Sequence, residues 1–152
     1  MVGFGEAIDS ALFKNYFNLE GKATRSEYWW FMLFFLLFNI VAGIVVGIAS
    51  GIILGEALDL DSFSFYYTLL LLAVFILPIL GLTVRRFHDA GRGTREAIIV
   101  FVLAVVSQFI VPIGTQGAII EVTESIITPA WVIFVATSLY TLFIALKKSV
   151  KS

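Results

Sequence analysis

Residues 28 to 54, YWWFMLFFLLFNIVAGIVVGIASGIIL, contain no charged side chain, and Asn39 and Ser50 are their only clearly polar ones. As a helix rising 1.5 Å per residue the stretch reaches about 40 Å, enough to cross a hydrocarbon core of about 30 Å with length to spare for tilt. Lipid offers the backbone no hydrogen-bond partners, so such a segment must satisfy them internally, as a helix does. Three further apolar segments follow: 63–84, interrupted by Pro78; 94–111, ending near Pro112; and 130–146. The expected fold is therefore all-α, a polytopic integral membrane protein with four transmembrane helices in a single membrane domain over residues 1–152. Composition agrees, since only 14% of the chain is charged, against roughly a quarter in soluble domains.

Helix-start chemistry supports these divisions. Thr24-Arg25-Ser26-Glu27 has the spacing of a capping box, in which hydroxyl and carboxylate each take an exposed backbone N–H ahead of the first span. Thr128-Pro129 places a capping hydroxyl before a proline at the first helical position of the fourth. Thr94 and Glu96 mark the start of the third.

The ten basic residues fall in three places: Lys14, Lys22 and Arg25 before the first span, Arg85, Arg86, Arg92 and Arg95 between the second and third, and Lys147, Lys148 and Lys151 after the fourth. The other two connections carry only acids, Glu56, Asp59 and Asp61 in one and Glu121 and Glu124 in the other. The positive-inside rule then puts both termini in the cytoplasm. Trp29 and Trp30 would sit at the inner interface, and Tyr66, Tyr67 and Trp131 at the outer one.

Ahead of the spans, Phe4, Ile8, Leu12 and Tyr16 recur at helical spacing with Ala11 alongside, which predicts a short amphipathic helix over about residues 3–18. It would lie on the inner membrane surface or on the protein's own cytoplasmic face. A cleavable signal peptide fits poorly, because the first apolar run starts only at residue 28 and no A-x-A-like site follows it.

Gly43, Gly47, Gly51 and Gly55 stand at strict intervals of four along one stripe of the first span. Helices associate in lipid by close backbone approach, which glycine permits, so a helix of this chain or of a second copy is expected against the stripe. Pro78 is expected to bend the second span.

The segment VRRFHDAGRGTRE, residues 84–96, holds four arginines and the one histidine. Its arginines are explained as a topology anchor, with Arg85 and Arg86 snorkelling from the end of the second span. Chemistry finds little else to work with. Without cysteine and with a single histidine, a closed zinc site, an iron–sulfur site and a disulfide framework are excluded, and no cofactor is expected. His88-Asp89 lacks the further ligands of a metal-dependent phosphohydrolase, and a hydrolase built from Ser26, His88 and Asp89 lacks a nucleophile elbow, so no catalytic residue is assigned. No Asp, Glu, Lys or Arg lies well inside a span, which disfavours an ion-coupled transporter. Asn39, Ser107, Gln108, Thr137 and Ser138 read as helix-packing or self-bonding polar groups. The arginines extend no basic face from the membrane, so nucleic acid is not a partner.

NYFNLEGKATRSEYWWF (15–31), followed after an apolar stretch by LPILGLTVRRFHDAGRG (77–93), resembles the small bacterial inner-membrane proteins grouped as domain of unknown function 805. The positions that carry the resemblance are Gly21, Lys22, Arg25, Glu27, Tyr28 and Trp29, then Pro78, Arg85, Arg86, Phe87, His88, Asp89 and Arg92, and it covers about residues 12–111. The family pattern has aromatic residues soon after the second motif, where this chain has Arg95 and Glu96, and its polar tail differs from ALKKSVKS. The resemblance implies that the two motifs belong together, in a bacterial inner membrane, and it implies no reaction.

The expected site is a cytoplasmic polar cluster of Arg25, Glu27, Arg85, Arg86, His88, Asp89 and Arg92. Glu27 and Asp89 would pair with some arginines and leave others for an anionic lipid headgroup or the acidic surface of a partner protein, with Gly91 and Gly93 letting the backbone approach the anion. The bilayer, anionic lipid, a second copy and another membrane protein are the expected partners. Two roles remain: a non-enzymatic scaffold or modulator, and an oligomeric pore or small-solute carrier.

Overall fold

The structure, a computed structural model, describes residues 2–54, 60–115 and 124–150. Its helices are α1 (Phe4–Asp9), α2 (Arg25–Leu54), α3 (Leu60–Asp89), α4 (Thr94–Thr115) and α5 (Glu124–Leu146), and a π-helical turn, Ser10–Lys14, prolongs α1. Among the described residues three helical stretches are long and apolar enough to cross a membrane, Arg25–Ile48, Tyr66–Asp89 and Thr128–Leu146. Helix α4 has 22 residues, and its side chains are described as far as Ser107. Gly55, Glu56, Asp59 and Glu121 lie outside the described residues.

Several boundaries differ from the expected ones. Helix α5 begins at Glu124, ahead of Thr128-Pro129, so Pro129 lies inside the helix instead of opening it. A proline there forgoes one ladder bond, to the carbonyl four residues earlier, while the chain on either side keeps the rest. Helix α4 likewise continues through Pro112 to Thr115. Helix α3 extends five residues past Val84, so Arg85, Arg86, His88 and Asp89 stand on its last turns and not in a loop.

Helix α3 is the axis of the fold. A third of its apolar window is buried within the protein, against 6% for α2, and every residue from Gly81 to Phe87 is buried. On one side Phe75 and Leu82 meet Tyr28 and Phe31 of α2, Ala11, Ala23 and Ala145. Phe75 also lies 5.0 Å and 5.1 Å, ring to ring, from Phe35 and Phe38. On the other side Val84 and Phe87 meet Ala97 of α4 and Ile144 of α5.

The N-terminal segment is a strap across this axis. It folds onto the protein, with Val2 N–H donating to Ser26 Oγ at 3.3 Å and Phe4 set edge-on to Trp30 at 5.7 Å. The buried face is Ala7 and Ala11, both 0% exposed, whereas Phe4 and Tyr16 of the expected stripe are 40% and 36% exposed. Alanine wins because its small side chain lets α1 and α2 approach closely, as small residues do between membrane helices. The helical part ends at Lys14, short of residue 18. Beyond it the chain runs so close to α3 that a Cβ on Gly81 would stand 3.1 Å from the Asn18 carbonyl.

The strap answers a need created by Pro78, which is buried within the uninterrupted α3. Lacking an N–H, Pro78 leaves the Val74 carbonyl without its helical donor. Tyr16 fills that role, its hydroxyl donating to Val74 O at 2.9 Å. Tyr16→Phe is expected to lower stability by about 0.5–1.5 kcal/mol, read by reversible unfolding in mixed micelles. Hydrogen exchange near Val74 should rise in that variant, and a variant indistinguishable by both measures would show that water serves the carbonyl equally well.

The glycine stripe faces away from these contacts. A Cβ built on Gly43, Gly47 or Gly51 meets nothing within 4 Å, so among the described residues no other helix of this chain lies against the stripe. Among the described residues α2 meets the bundle through Tyr28, Phe31 and Phe35 instead. The buried hydroxyls and the half-buried amide make local bonds: Asn39 donates to Phe35 O at 2.7 Å, Ser107 to Leu103 O at 2.7 Å and Thr137 to Ile133 O at 2.8 Å.

Candidate functional site

At one end of the bundle α2 and α4 begin, α3 and α5 finish, and the strap crosses. Four helix termini leave many orphan N–H and C=O groups in one place, and the two charged motifs meet there.

The last turn of α3 is closed by its own sequence. Gly91 adopts φ 79°, Arg92 N–H donates to Phe87 O at 2.8 Å and Gly91 N–H to His88 O at 3.0 Å. These are the two bonds of a Schellman cap, which needs a left-handed residue after the helix, and glycine takes that conformation without strain. Gly91 therefore ends α3, and its α-carbon faces the tail, where an added Cβ would stand 3.0 Å from Val150 Cγ2. This replaces the expected role of Gly91 in letting an anion approach. Val150 N–H donates to Asp89 O at 2.9 Å, which ties the tail to the same turn.

Arg86 is 1% exposed, so it does not snorkel. Its Nε and Nη2 donate to Ala145 O at 3.3 Å and 3.2 Å, Nη2 also reaches Lys147 O, and Nη1 is paired with Asp89. The guanidinium is thus the C-terminal cap of α5, a cation among carbonyls that carry the negative end of a helix dipole. Asp89, itself buried, holds the charge in place and accepts from Ser149 Oγ at 2.6 Å.

Arg85 is 4% exposed and turns toward α2. Its Nη1 donates to Glu27 Oε1 at 3.1 Å, and Ser10 Oγ donates to the same oxygen at 2.8 Å. The remaining Nε and Nη2 of Arg85 are buried without a hydrogen-bond partner. Glu27 was expected to close a capping box. Only half of the box forms, as Glu27 N–H donates to Thr24 Oγ1 at 3.3 Å while the Glu27 carboxylate turns inward. A charge-assisted bond to a buried guanidinium outweighs one to a solvated N–H.

His88 joins the two motifs directly. Its Nδ1 lies 3.1 Å from Gly21 O, and its Nε2 lies 2.8 Å from Thr94 Oγ1 at the start of α4. A carbonyl only accepts, so Nδ1 carries a proton, and in the neutral ring Nε2 then accepts from the threonine hydroxyl. Ala23 N–H donates to Arg85 O at 3.0 Å alongside. Two members of the cluster face outward. Arg25 reaches Leu146 O at 3.5 Å, and Arg92 stands 3.6 Å from Glu96, its side chain 40% exposed. Glu96 also accepts from the Tyr140 hydroxyl.

All seven predicted residues therefore gather at one end, and five of them, Glu27, Arg85, Arg86, His88 and Asp89, hold chain segments together. Sequence reasoning missed Ser10, Ser149, the hydrogen bond of the Tyr16 hydroxyl and the carbonyls of Ala145 and Lys147. Single hydroxyls and backbone oxygens carry no pattern of their own, so only Gly21 and Thr94 had a signal, the first in the motif and the second as a helix start. Among the described residues no three His, Asp or Glu side chains gather as a metal site.

Comparison with known proteins gives the same outline. Over 92 residues the chain is 37% identical to "Inner membrane protein YhaI" of Escherichia coli strain K12, a stretch that is 60% of this chain and 69% of that protein. The protein of the same name from Escherichia coli O157:H7 matches equally. No solved structure matches. The family described as "Protein of unknown function (DUF805)" matches residues 16–147, which takes in both charged motifs, all of α3 and α4 and the whole of α5, well past the stretch that carries the motifs. The chain belongs to that family.

Proposed function

We propose that the chain is a multi-pass inner-membrane protein with four spans and both termini in the cytoplasm, without catalysis of its own, which scaffolds or modulates other membrane components by holding anionic lipid headgroups at its cytoplasmic end. The positive-inside distribution of the ten basic residues supports the orientation, and the printed name of the Escherichia coli relatives supports the compartment.

The observation that carries the lipid reading is the division of labour among the arginines. Glu27 and Asp89 are engaged with Arg85 and Arg86 inside the protein. Arg25 and Arg92 are left exposed at the rim, as are Lys22, three residues before Arg25, and Lys148, two residues after the Leu146 whose carbonyl Arg25 reaches. Basic side chains at a cytoplasmic membrane surface attract anionic lipid by about 1 kcal/mol each. Arg86 is thus a poor probe of binding, since it caps α5, and Arg25 and Arg92 are the right ones.

Arg25→Gln with Arg92→Gln is expected to lower phosphatidylglycerol retained through purification by roughly thirtyfold, the effect of losing two such contacts, as counted by native mass spectrometry. Retention equal to that of the unaltered protein would defeat the headgroup reading. Labelling from each side of sealed cells tests the orientation separately. A terminus reached from outside, or the Asp59 segment reached only from within, would reverse it.

A further inference from the structure

We propose that the cleft between α2, α3, α4 and α5 is an acyl-chain site, which takes one fatty-acyl chain of an anionic phospholipid whose phosphate rests against Arg25. The proposal rests on the headgroup reading above and adds where the rest of the lipid goes.

The cavity measures about 710 Å³, within the ~300–1,000 Å³ that ligand sites span. Met32, Phe35, Leu71, Phe75, Phe101 and Phe134 form much of its wall, and no Asp, Glu, Lys or Arg lines it. Its polar members are neutral, and three of them bond to backbone carbonyls. Asn39 donates to Phe35 O at 2.7 Å, Thr141 to Thr137 O at 2.8 Å and Tyr67 to Asn39 O at 3.5 Å. A mostly apolar wall without a charged side chain gives a hydrated solute or an ion little to replace its water, whereas hydrocarbon needs no partner.

Length and charge select the occupant. The lining runs from Tyr28 to Asn39 on α2 and from Phe134 to Ala145 on α5, about 16 Å along each helix. That is about half of a 30 Å hydrocarbon core, the depth of one leaflet. One end is formed by Tyr28, Trp29, Thr83 and Ala145, beneath the arginine that donates to Ala145 O and the one that donates to Leu146 O. Of these two, Arg86 is committed to Asp89 and the α5 carbonyls, and Arg25 is exposed with a single long bond. A mostly apolar cleft, about one leaflet deep along α2 and α5, that ends under an exposed guanidinium matches an acyl chain with an anionic head.

The test uses the full chain purified in mild detergent and phosphatidylglycerol as the probe, counted by native mass spectrometry. Ala104 lines the cavity from α4, and Ala104→Phe would occupy part of it. Retention is expected to fall by roughly tenfold or more in Ala104→Phe, since each displaced methylene contributes about 0.8 kcal/mol, and to fall in Arg25→Gln. In the unaltered protein one-chain lysophosphatidylglycerol should displace the probe, and glycerol phosphate, the head without a chain, should not. That competition decides the matter should Ala104→Phe fail to fold. Retention lost in Arg25→Gln/Arg92→Gln but kept in a folded Ala104→Phe, or displacement by glycerol phosphate as effective as by the lysolipid, overturns the acyl-chain site and leaves the headgroup reading standing. Retention unchanged in all variants defeats both.

Discussion

Asp89→Ala is expected to destabilise the protein by about 3–5 kcal/mol, the range for removing one partner of a buried ion pair. The lost carboxylate leaves Arg86, 1% exposed, as an uncompensated charge whose remaining partners are the carbonyls of Ala145 and Lys147. It also frees Ser149, whose hydroxyl donates to the same carboxylate at 2.6 Å, so the tail loses one of its attachments to α3. Ser149→Ala alone should cost about 1 kcal/mol, as a single hydrogen bond does. Reversible unfolding in mixed micelles measures each variant. Removing both charges, as Arg86→Met with Asp89→Leu, should be milder than Asp89→Ala, because no isolated charge remains. An Asp89→Ala variant within about 0.5 kcal/mol of the unaltered protein, the usual range of inconsequential surface changes, would mean that water reaches the pair.

The structure also explains which features could be anticipated and which could not. The long apolar run of α2 and the charge-free stretches after it place helices by length and polarity alone, and those survive any rearrangement of packing. Membership of the polar cluster was legible because charged residues are excluded from the spans and both motifs sit at span ends. Its internal pairing was not. Arg85 and Arg86 are neighbours in sequence, yet one turns to Glu27 on α2 and the other to the end of α5, a choice set by where α3 stands between them. Glu27 has a local partner in the capping box and a distant one in Arg85, and sequence spacing displays only the first. Gly91 carried a readable signal, a glycine just past a helix with a basic last turn, but the expected helix ended too early, at residue 84, for it to be read as a cap. The glycine stripe is legible as a surface fit for close approach, but spacing does not say which helix approaches. Tyr16 and Pro78 are 62 positions apart by their numbers, and only their meeting on α3 reveals that one serves the carbonyl released by the other.

Glu27→Ala is expected to cost about 3–5 kcal/mol as well, by the same rule of the stranded partner, and it separates two roles that sequence spacing confuses. As a capping residue Glu27 would matter about as much as Thr24, whose loss as an N-cap typically costs about 1 kcal/mol. As the counter-ion of Arg85 it matters far more. The two side chains are 9% and 5% exposed, and Arg85 already has Nε and Nη2 without partners, so losing Glu27 strips a buried guanidinium of its ion pair. The Ser10 hydroxyl, 2.8 Å from the same carboxylate oxygen, loses its acceptor too, which loosens the strap from α2. The order of stability should therefore be Thr24→Ala above Glu27→Gln above Glu27→Ala. The glutamine variant falls between because its amide oxygen still accepts from Ser10 and Arg85 but carries no charge. Arg85→Met added to Glu27→Ala should recover part of the loss, since it removes the stranded cation. If Glu27→Ala and Thr24→Ala unfold at the same point, and Arg85→Met brings no recovery, the carboxylate serves the helix start and the buried pair contributes nothing.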